Sequence, residues 1–405
     1  MLVLLGSLLV SVFAGELALR GWRNGTLAPL SGEHVLREPH PTRGWALVPG
    51  GRALQRTLDY AVAVEINERG LRDRSHDYEP APGLFRIVVL GDSFMEAYQV
   101  ELEDSLPERL ERALADRELE VVNLGVGGYG TAQQLLQLRE EGLRYRPDLV
   151  VLAFYAGNDV QNNSRELERE TWGEDSENTW GRPYATAADL GSELVWTPPD
   201  FARMRGEADA EARRRAAPAR RLWKWIEPAL VANALSRAAA ALGAGPARPQ
   251  VHLGRAFLAR ASRNGEDPAS SAWQSAWTAT RRLLLELRDV GRGAGAELVI
   301  LLVPAKLQVE ADFRARAVAL WGGIALDETR INRELAAFAS EHAIPFLDPT
   351  PVLAAESERG PRLYYQLEDH HWNARGHEVA TRELVRFLDG QALVPRQDPG
   401  RRSAR

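Results

Sequence analysis

From Phe85 onward, short runs of uninterrupted apolar residues alternate with longer stretches whose apolar positions recur at helical spacing. Strand-length runs that are apolar at consecutive positions, rather than at every second one, are what a parallel sheet covered on both faces requires. Five such runs predict strands at Arg86–Leu90, Leu119–Leu124, Leu149–Phe154, Leu298–Val303 and Ile344–Leu347. Helices are predicted at Ser105–Ala115, Thr131–Leu143 and Ala272–Val290 between the first four strands, with two more at Asn332–His342 and Ala374–Leu388. Parallel strands joined in this way need right-handed crossovers. The economical architecture is therefore α/β, a three-layer α/β/α sandwich around a mainly parallel five-stranded sheet, with its ligand site at the C-terminal ends of the strands.

The pattern changes outside and within this domain of residues 85–393. Leu2–Ala14 is apolar or small throughout, and Leu17, Ala18 and Leu19 resume the run, so residues 1–20 read as a targeting segment. A short signal-anchor and a cleaved signal peptide both fit its length, and Val12-Phe13-Ala14 suits cleavage. Arg20 and Arg23 follow the run and no basic residue precedes it, which opposes export; a buried core helix is the remaining alternative. Residues 21–84, rich in Pro, Gly and Arg up to Gly83, form an accessory extension with one alternating stretch, Tyr60–Ile66, that predicts a short strand or hairpin. Residues 161–270 carry no clear strand and read as a helical insertion with Trp172, Trp180, Trp196, Trp223 and Trp225. Within it, Arg220–Ala241 has helical spacing broken by Pro228, fitting an active-site lid and a pair of surface helices equally. The tail, residues 394–405, is Arg-rich with little to bury and is expected to be disordered.

Composition narrows the function. A net charge of −6 and a pI near 5.9 leave no basic field for nucleic acid. The absence of cysteine removes disulfides, zinc–thiolate sites and thiol nucleophiles.

The candidate chemistry sits at strand ends. The first strand runs into Gly91-Asp92-Ser93-Phe94, which places a serine on the turn after a buried strand. Met95 stands where a nucleophile elbow would have its second glycine, so the usual α/β-hydrolase arrangement is disfavoured. The second strand ends in Asn123-Leu124-Gly125-Val126-Gly127-Gly128-Tyr129-Gly130-Thr131, whose glycines let backbone N–H groups approach a ligand; in isolation it fits a phosphate loop as well. The third ends in Tyr155-Ala156-Gly157-Asn158-Asp159, supplying an amide donor. Near the C-terminus, Glu368-Asp369-His370-His371-Trp372 brings acid and base on one loop.

Together these four segments resemble the SGNH hydrolases, the GDSL esterase and lipase family, in the family's order from about Phe85 to Leu388 apart from the insertion. The resemblance implies a flavodoxin-like sandwich and a serine-dependent hydrolase of ester bonds acting through an acyl-serine intermediate. It implies Ser93 as nucleophile, His371 as general base and Asp369 as its orienting acid, with Ser93, Gly128 and Asn158 forming the oxyanion hole. Gly128 lies five residues after Asn123, as the family's glycine does; Gly127 and Gly125 are alternatives. The usual D-x-x-H spacing would place the acid at Glu368, whereas the D-x-H-W variant seen here resembles membrane-linked and periplasmic members, including polysaccharide O-acetyltransferase relatives. Ile66-Asn67-Glu68-Arg69-Gly70-Leu71-Arg72-Asp73 also resembles exported bacterial members.

The family reading thus implies a small-molecule or glycan ester substrate, no cofactor and no metal. It implies an extracytoplasmic, periplasmic or cell-envelope location, with membrane contact through the N-terminal segment where that is uncleaved. Acyl transfer to an envelope polysaccharide, or a non-catalytic envelope binding protein, are its competitors. His370 reads as a flanking residue, His377 as packing against or capping the first turn of the last helix, and the trio with His371 lacks the spacing of a helical zinc pair. His34, His40, His76, His252 and His342 carry no pattern, and Asp92 and Asp159 read as fixing their loops.

Overall fold

The computed structural model describes residues 36–57, 59–216, 271–320, 326–366 and 369–395. The predicted targeting segment, the lid stretch with Trp223 and Trp225, Glu368, His34, His252 and the tail beyond Pro395 lie outside these residues.

Four short strands come first: β1 (Arg37–His40) pairs antiparallel with β2 (Gly44–Leu47), and β3 (Arg52–Arg56) with β4 (Ala61–Glu65). The main sheet begins with β5 (Phe85–Leu90), followed by helices α1 (Ser93–Glu96) and α2 (Leu106–Ala113), then β6 (Leu119–Asn123), α3 (Thr131–Glu140) and β7 (Leu149–Tyr155). Next are α4 (Asp159–Asn162), α5 (Arg165–Trp172), α6 (Glu177–Trp180), the antiparallel pair β8 (Tyr184–Thr186) and β9 (Val195–Thr197), and α7 (Phe201–Ala216). The order closes with α8 (Ser271–Gly293), β10 (Glu297–Val303), α9 (Lys306–Val309), α10 (Ala311–Leu320), α11 (Arg330–Glu341), β11 (Phe346–Leu347), α12 (Thr350–Arg359) and α13 (Ala374–Gly390). Two compact units divide the chain, residues 1–31 with 205–252 and residues 32–204 with 253–405. Only residues 205–216 of the first are described, within α7.

The second unit is built on a five-stranded sheet of order β11-β10-β7-β5-β6, with every neighbouring pair parallel. Both faces are covered, as the unbroken apolar runs require. Val88, Leu90, Leu152 and Ile300 point to one side, against Leu135 of α3, Leu284 of α8 and Leu335 of α11. Ile87, Val89, Val151 and Leu301 point to the other, against Leu110 of α2, Leu353 of α12 and Leu384 of α13. Burying each such side chain contributes on the order of 2 kcal/mol. This is the predicted three-layer α/β/α sandwich. β5 lies between β6 and β7, so the chain leaves it toward one edge and then crosses to the other side. Ligand crevices in open α/β sheets form at such a reversal, outside the carboxyl ends of the strands.

The structure departs from expectation in several places. The region 161–270 holds a hairpin, β8 with β9, whose three-residue strands are too short to show a period in sequence. Helix α3 stops at Glu140, and a separate 3₁₀ turn spans Gly142–Tyr145. Val394 is buried in the second core layer, so packing continues past the start of the expected disordered tail. Trp180 belongs to a core cluster and Trp196 packs beside another, while Trp172 is 38 % exposed.

The predicted hairpin is present as β3–β4, and it joins a third core. Leu36, Trp45, Leu47, Val62, Val64 and Ile66 pack against Tyr98, Val126 and Tyr129. Val126 and Tyr129 belong to the glycine-rich loop after β6, so the N-terminal extension covers the sheet's C-terminal edge.

The segment Ile66–Asp73 forms a clip at that edge. Asn67 Oδ1 accepts from the N–H groups of Arg69 (2.9 Å) and Leu71 (3.0 Å), which closes the turn. Arg72 is then driven inward, fully buried, and donates to the carbonyls of Glu96 (2.9 Å), Ala97 (2.8 Å) and Val100 (2.6 Å) at the end of α1. Asp73 Oδ2 accepts from the Asn123 N–H at 2.6 Å, at the end of β6. Removing the guanidinium would strand three carbonyls that water does not reach, so Arg72→Leu is expected to lower unfolding free energy by about 3 kcal/mol or more. Urea denaturation measures this, and a loss under about 1 kcal/mol would show that the clip is not structural.

Candidate active site

β5 runs straight into the bend at Gly91-Asp92-Ser93. Asp92 caps α1, its Oδ1 accepting from the Phe94 N–H at 2.9 Å, and Ser93 is therefore the first helical residue with its side chain over the strand end. Ser93 Oγ lies 2.7 Å from His371 Nε2. His371 Nδ1 lies 2.6 Å from Asp369 Oδ1, and the same oxygen accepts the His371 backbone N–H at 2.7 Å. The three residues implied by the resemblance are thus in one hydrogen-bonded line.

The Asp369 carboxylate is mostly buried, which alone would raise its pKa. The adjacent His371, hydrogen bonds from that residue and the Tyr60 hydroxyl outweigh burial and lower it to about 2. Phe94 packs on the imidazole with ring centroids 4.8 Å apart, and Trp372 meets Phe94 edge-on at 5.1 Å, which restrains the histidine ring.

The loop after β6 is shaped by contact with α1. A Cβ on Gly125 would meet Glu96 N at 2.4 Å, so only glycine allows the two backbones this close. Gly128 has φ +77°, a left-handed conformation that turns the chain back over the strand end. Its carbonyl accepts from Arg182, and the Trp45 indole donates to the Gly127 carbonyl at 3.1 Å. The candidate donors differ in what they already do. Gly125 N–H is bonded to Asn123 Oδ1 at 2.9 Å and Gly127 N–H to Glu96 Oε2. Among the described residues neither Gly128 N–H nor Ser93 N–H has an acceptor. Asn158, just past the end of β7, makes no side-chain cap bond, and its buried Oδ1 has no partner among the described residues.

The other histidines separate cleanly. The His370 ring packs at a tilt against Phe313, with centroids 5.0 Å apart; burial, then nearby Lys306, lowers its pKa to about 4. His377 does not cap its own helix, where Asn373 accepts from Arg375 and Gly376. It caps α2 instead, its Nδ1 accepting from the Leu106 N–H at 3.2 Å, and burial followed by the charge of Arg109 lowers its pKa to about 3. His76 sits between Asp73 and Glu120, which overcome burial and raise its pKa to about 10. Among the described residues no cluster of His, Asp and Glu has the geometry of a metal site.

A model of GDSL-like lipases and acylhydrolases matches residues 89–379, more than two thirds of the sequence. The chain belongs to the GDSL-like lipase/acylhydrolase family. As a member of these SGNH hydrolases it is a serine-type ester hydrolase. Solved structures similar to it include a lipase/acylhydrolase from Enterococcus faecalis (15% identity, 78% of this chain and 100% of that one, TM-score 0.37). An acetylxylan esterase from Geobacillus stearothermophilus is 10% identical over 77% of this chain and 96% of its own, with a TM-score of 0.36. A GDSL-like lipase from Bacteroides thetaiotaomicron is 10% identical over 77% and 91%, with a TM-score of 0.35. No curated protein sequence matches the chain.

Two carboxylates of this hydrolase flank the serine without joining the line. Asp92 and Asp159 are fully buried, and each uses one oxygen for a backbone N–H, of Phe94 at 2.9 Å and of Tyr155 at 3.1 Å. The second oxygen of each has no partner among the described residues. Burial raises the pKa of both, and the charge of Asp92 raises that of Asp159 further. A carboxyl whose folded pKa is raised stabilises the fold below its unfolded pKa, and that contribution is lost as pH rises through the folded value. Asp159→Asn keeps an acceptor for Tyr155 and does not titrate. It is expected to melt roughly 3 °C or more above the unsubstituted protein at pH 8 and level with it at pH 4. Thermal melts at the two pH values check this, and equal shifts at both would refute it.

Proposed function

We propose that this hydrolase cleaves carboxylic esters through an acyl-enzyme on Ser93, with His371 as general base and Asp369 as the acid that orients it. The observation that carries the reading is the line Ser93 Oγ, His371, Asp369, with 2.7 and 2.6 Å between successive partners. Serine Oγ attacks the ester carbonyl as His371 Nε2 takes its proton. The imidazolium then returns that proton to the leaving alcohol, and water repeats the sequence to release the acid. Asp369 stays ionised throughout, which fits its low pKa, and holds the proton of the ring on Nδ1 so that Nε2 faces the serine.

The developing oxyanion would be met by the N–H groups of Ser93 and Gly128 and by the Asn158 amide, from the ends of three adjacent strands. Gly128 is favoured over Gly125 and Gly127 because the N–H groups of those two are already engaged. Acyl transfer to a sugar hydroxyl would use the same residues, with the acceptor replacing water in the second half. Hydrolysis is the reading the family supports. We assign the catalytic unit to the cell-envelope side of the membrane on the resemblance of its D-x-H-W and Ile66–Asp73 segments to exported members. Among the described residues no helix is long and apolar enough to cross a membrane.

A fluorophosphonate should add one adduct mass to the native protein and none to Ser93→Ala. His371→Ala should label far more slowly, and turnover of short-chain aryl esters should fall by about 10³-fold or more in both variants. Adduct formation on Ser93→Ala, or ester turnover unaffected by that substitution, would overturn the assignment.

A further inference from the structure

The turn between β3 and β4 reaches the acid of the proposed triad. Thr57 Oγ1 accepts the N–H groups of Asp59 (3.1 Å) and Tyr60 (3.3 Å), which tightens the turn and aims both side chains at the loop that carries Asp369 and His371. The Tyr60 hydroxyl donates to Asp369 Oδ2 at 3.1 Å. Asp59 Oδ2 accepts the Asp369 N–H at 3.0 Å, and Asp59 Oδ1 accepts the Gln366 N–H at 3.1 Å. The Tyr60 ring lies 5.1 Å from that of Tyr365, whose N–H in turn donates to the His371 carbonyl at 3.1 Å. Four contacts therefore tie one turn of the N-terminal extension to one catalytic loop, and residues 59 and 60 fall outside the stretch matched by the family model.

The division of labour on the carboxylate matters. Asp369 Oδ1 is occupied twice by His371, while Oδ2 has no donor other than Tyr60 among the described residues. A carboxylate held at one oxygen turns about its last side-chain bond; held at both, it keeps its plane. Taking the Ser93–His371–Asp369 assignment as its basis, we infer that Tyr60 is a positioning residue of the reaction and that Asp59 fixes the backbone beneath it. The accessory extension is then part of the active site, completing a Ser–His–Asp–Tyr relay from a segment remote in sequence. The Tyr60 hydroxyl bonds the Asp369 carboxylate and not the serine, so its assigned role is exerted through that carboxylate.

Tyr60→Phe removes the hydroxyl and keeps the ring on Tyr365. With a chromogenic ester, kcat is expected to fall about tenfold with KM within about twofold of native. The acid limb of the kcat/KM profile should also move. Without the Tyr60 donor, more of the carboxylate's charge is directed at His371, the imidazolium is favoured, and the limb shifts up by about half a pH unit. The titratable groups that bear on the limb are Tyr60, His370, Tyr155 and Tyr365 around the carboxylate and Asp92 and His377 around the imidazole, with Asp59 on the Asp369 N–H. A third readout needs no substrate: the low-field proton resonance of the His371–Asp369 hydrogen bond should move in Tyr60→Phe and persist. Asp59→Ala should lower kcat in the same sense without raising KM. Native kcat, profile and proton resonance in Tyr60→Phe would overturn the inference, as would a loss carried by KM alone. Fluorophosphonate separates the two levels. A native protein that does not label on Ser93 defeats the triad assignment, whereas a native protein that labels and a Tyr60→Phe that labels at the same rate defeat only the role of Tyr60.

Discussion

Everything at this site depends on one constraint, the side-by-side ending of β5, β6 and β7 at the same edge of a parallel sheet. Adjacent strands stand about 4.8 Å apart, and the order β7-β5-β6 puts the strand that ends in Ser93 between those that lead to Asn158 and Gly128. Donors from both flanks can therefore converge beside one serine without any long side chain spanning the gap. The base has no such strand of its own. His371 comes from a loop ahead of α13, on the layer packed against Ile87 and Val89, and its approach to Ser93 has to be secured by packing rather than by sheet hydrogen bonds. Phe94, Trp372 and the Tyr364–Trp372 bridge supply that packing.

Loops at a strand end carry backbone groups that no ladder satisfies, and at this edge buried side chains do so. Arg72 takes three carbonyls, Asp73 and Asn123 take the end of β6, and Asn123 Nδ2 reaches back to the Met95 carbonyl at 2.8 Å. The segment Ile66–Asp73 is therefore a structural tie between the serine turn and the glycine loop. Its position in the fold explains why substitution there should cost stability.

The sheet, its five strands and the principal helices were legible because burial on both faces leaves an unbroken apolar run, a signal local to each strand. Three of the four motif segments were legible for a related reason, since each sits at the end of such a run; the fourth was legible by its acid and base ahead of an amphipathic helix. What could not be read came from contacts between distant segments. Three-residue strands such as Tyr184–Thr186 have no measurable period. His377 looked like a residue of its own helix, and only the fold shows it capping α2 across a separation of 271 residues. Asp59 and Tyr60 carry no sequence signal of a role at the site, because a tyrosine beside a predicted hairpin is ordinary until the loop 309 residues away is placed beside it. Sequence put Gly128 first by its register after Asn123, and the fold adds that the N–H groups of the alternatives Gly125 and Gly127 already have acceptors.

The carboxylates near Ser93 show why residue type alone does not assign an acid. Asp369 is mostly buried and Asp92 fully so, and both accept a backbone N–H, yet their pKa values are displaced in opposite directions. Asp369 has hydrogen-bond donors on both oxygens, with His371 in line, so the charged form is the favoured one. Asp92 leaves one oxygen unpartnered among the described residues, and the other acidic groups nearby are Glu96 and Asp159. A permanent anion at Asp92 would also compete with Asp369 for the imidazolium, since both feel the charge of His371. Keeping Asp92 short of donors weakens that competition, and the proton taken from Ser93 is then stabilised along a single direction, toward Asp369.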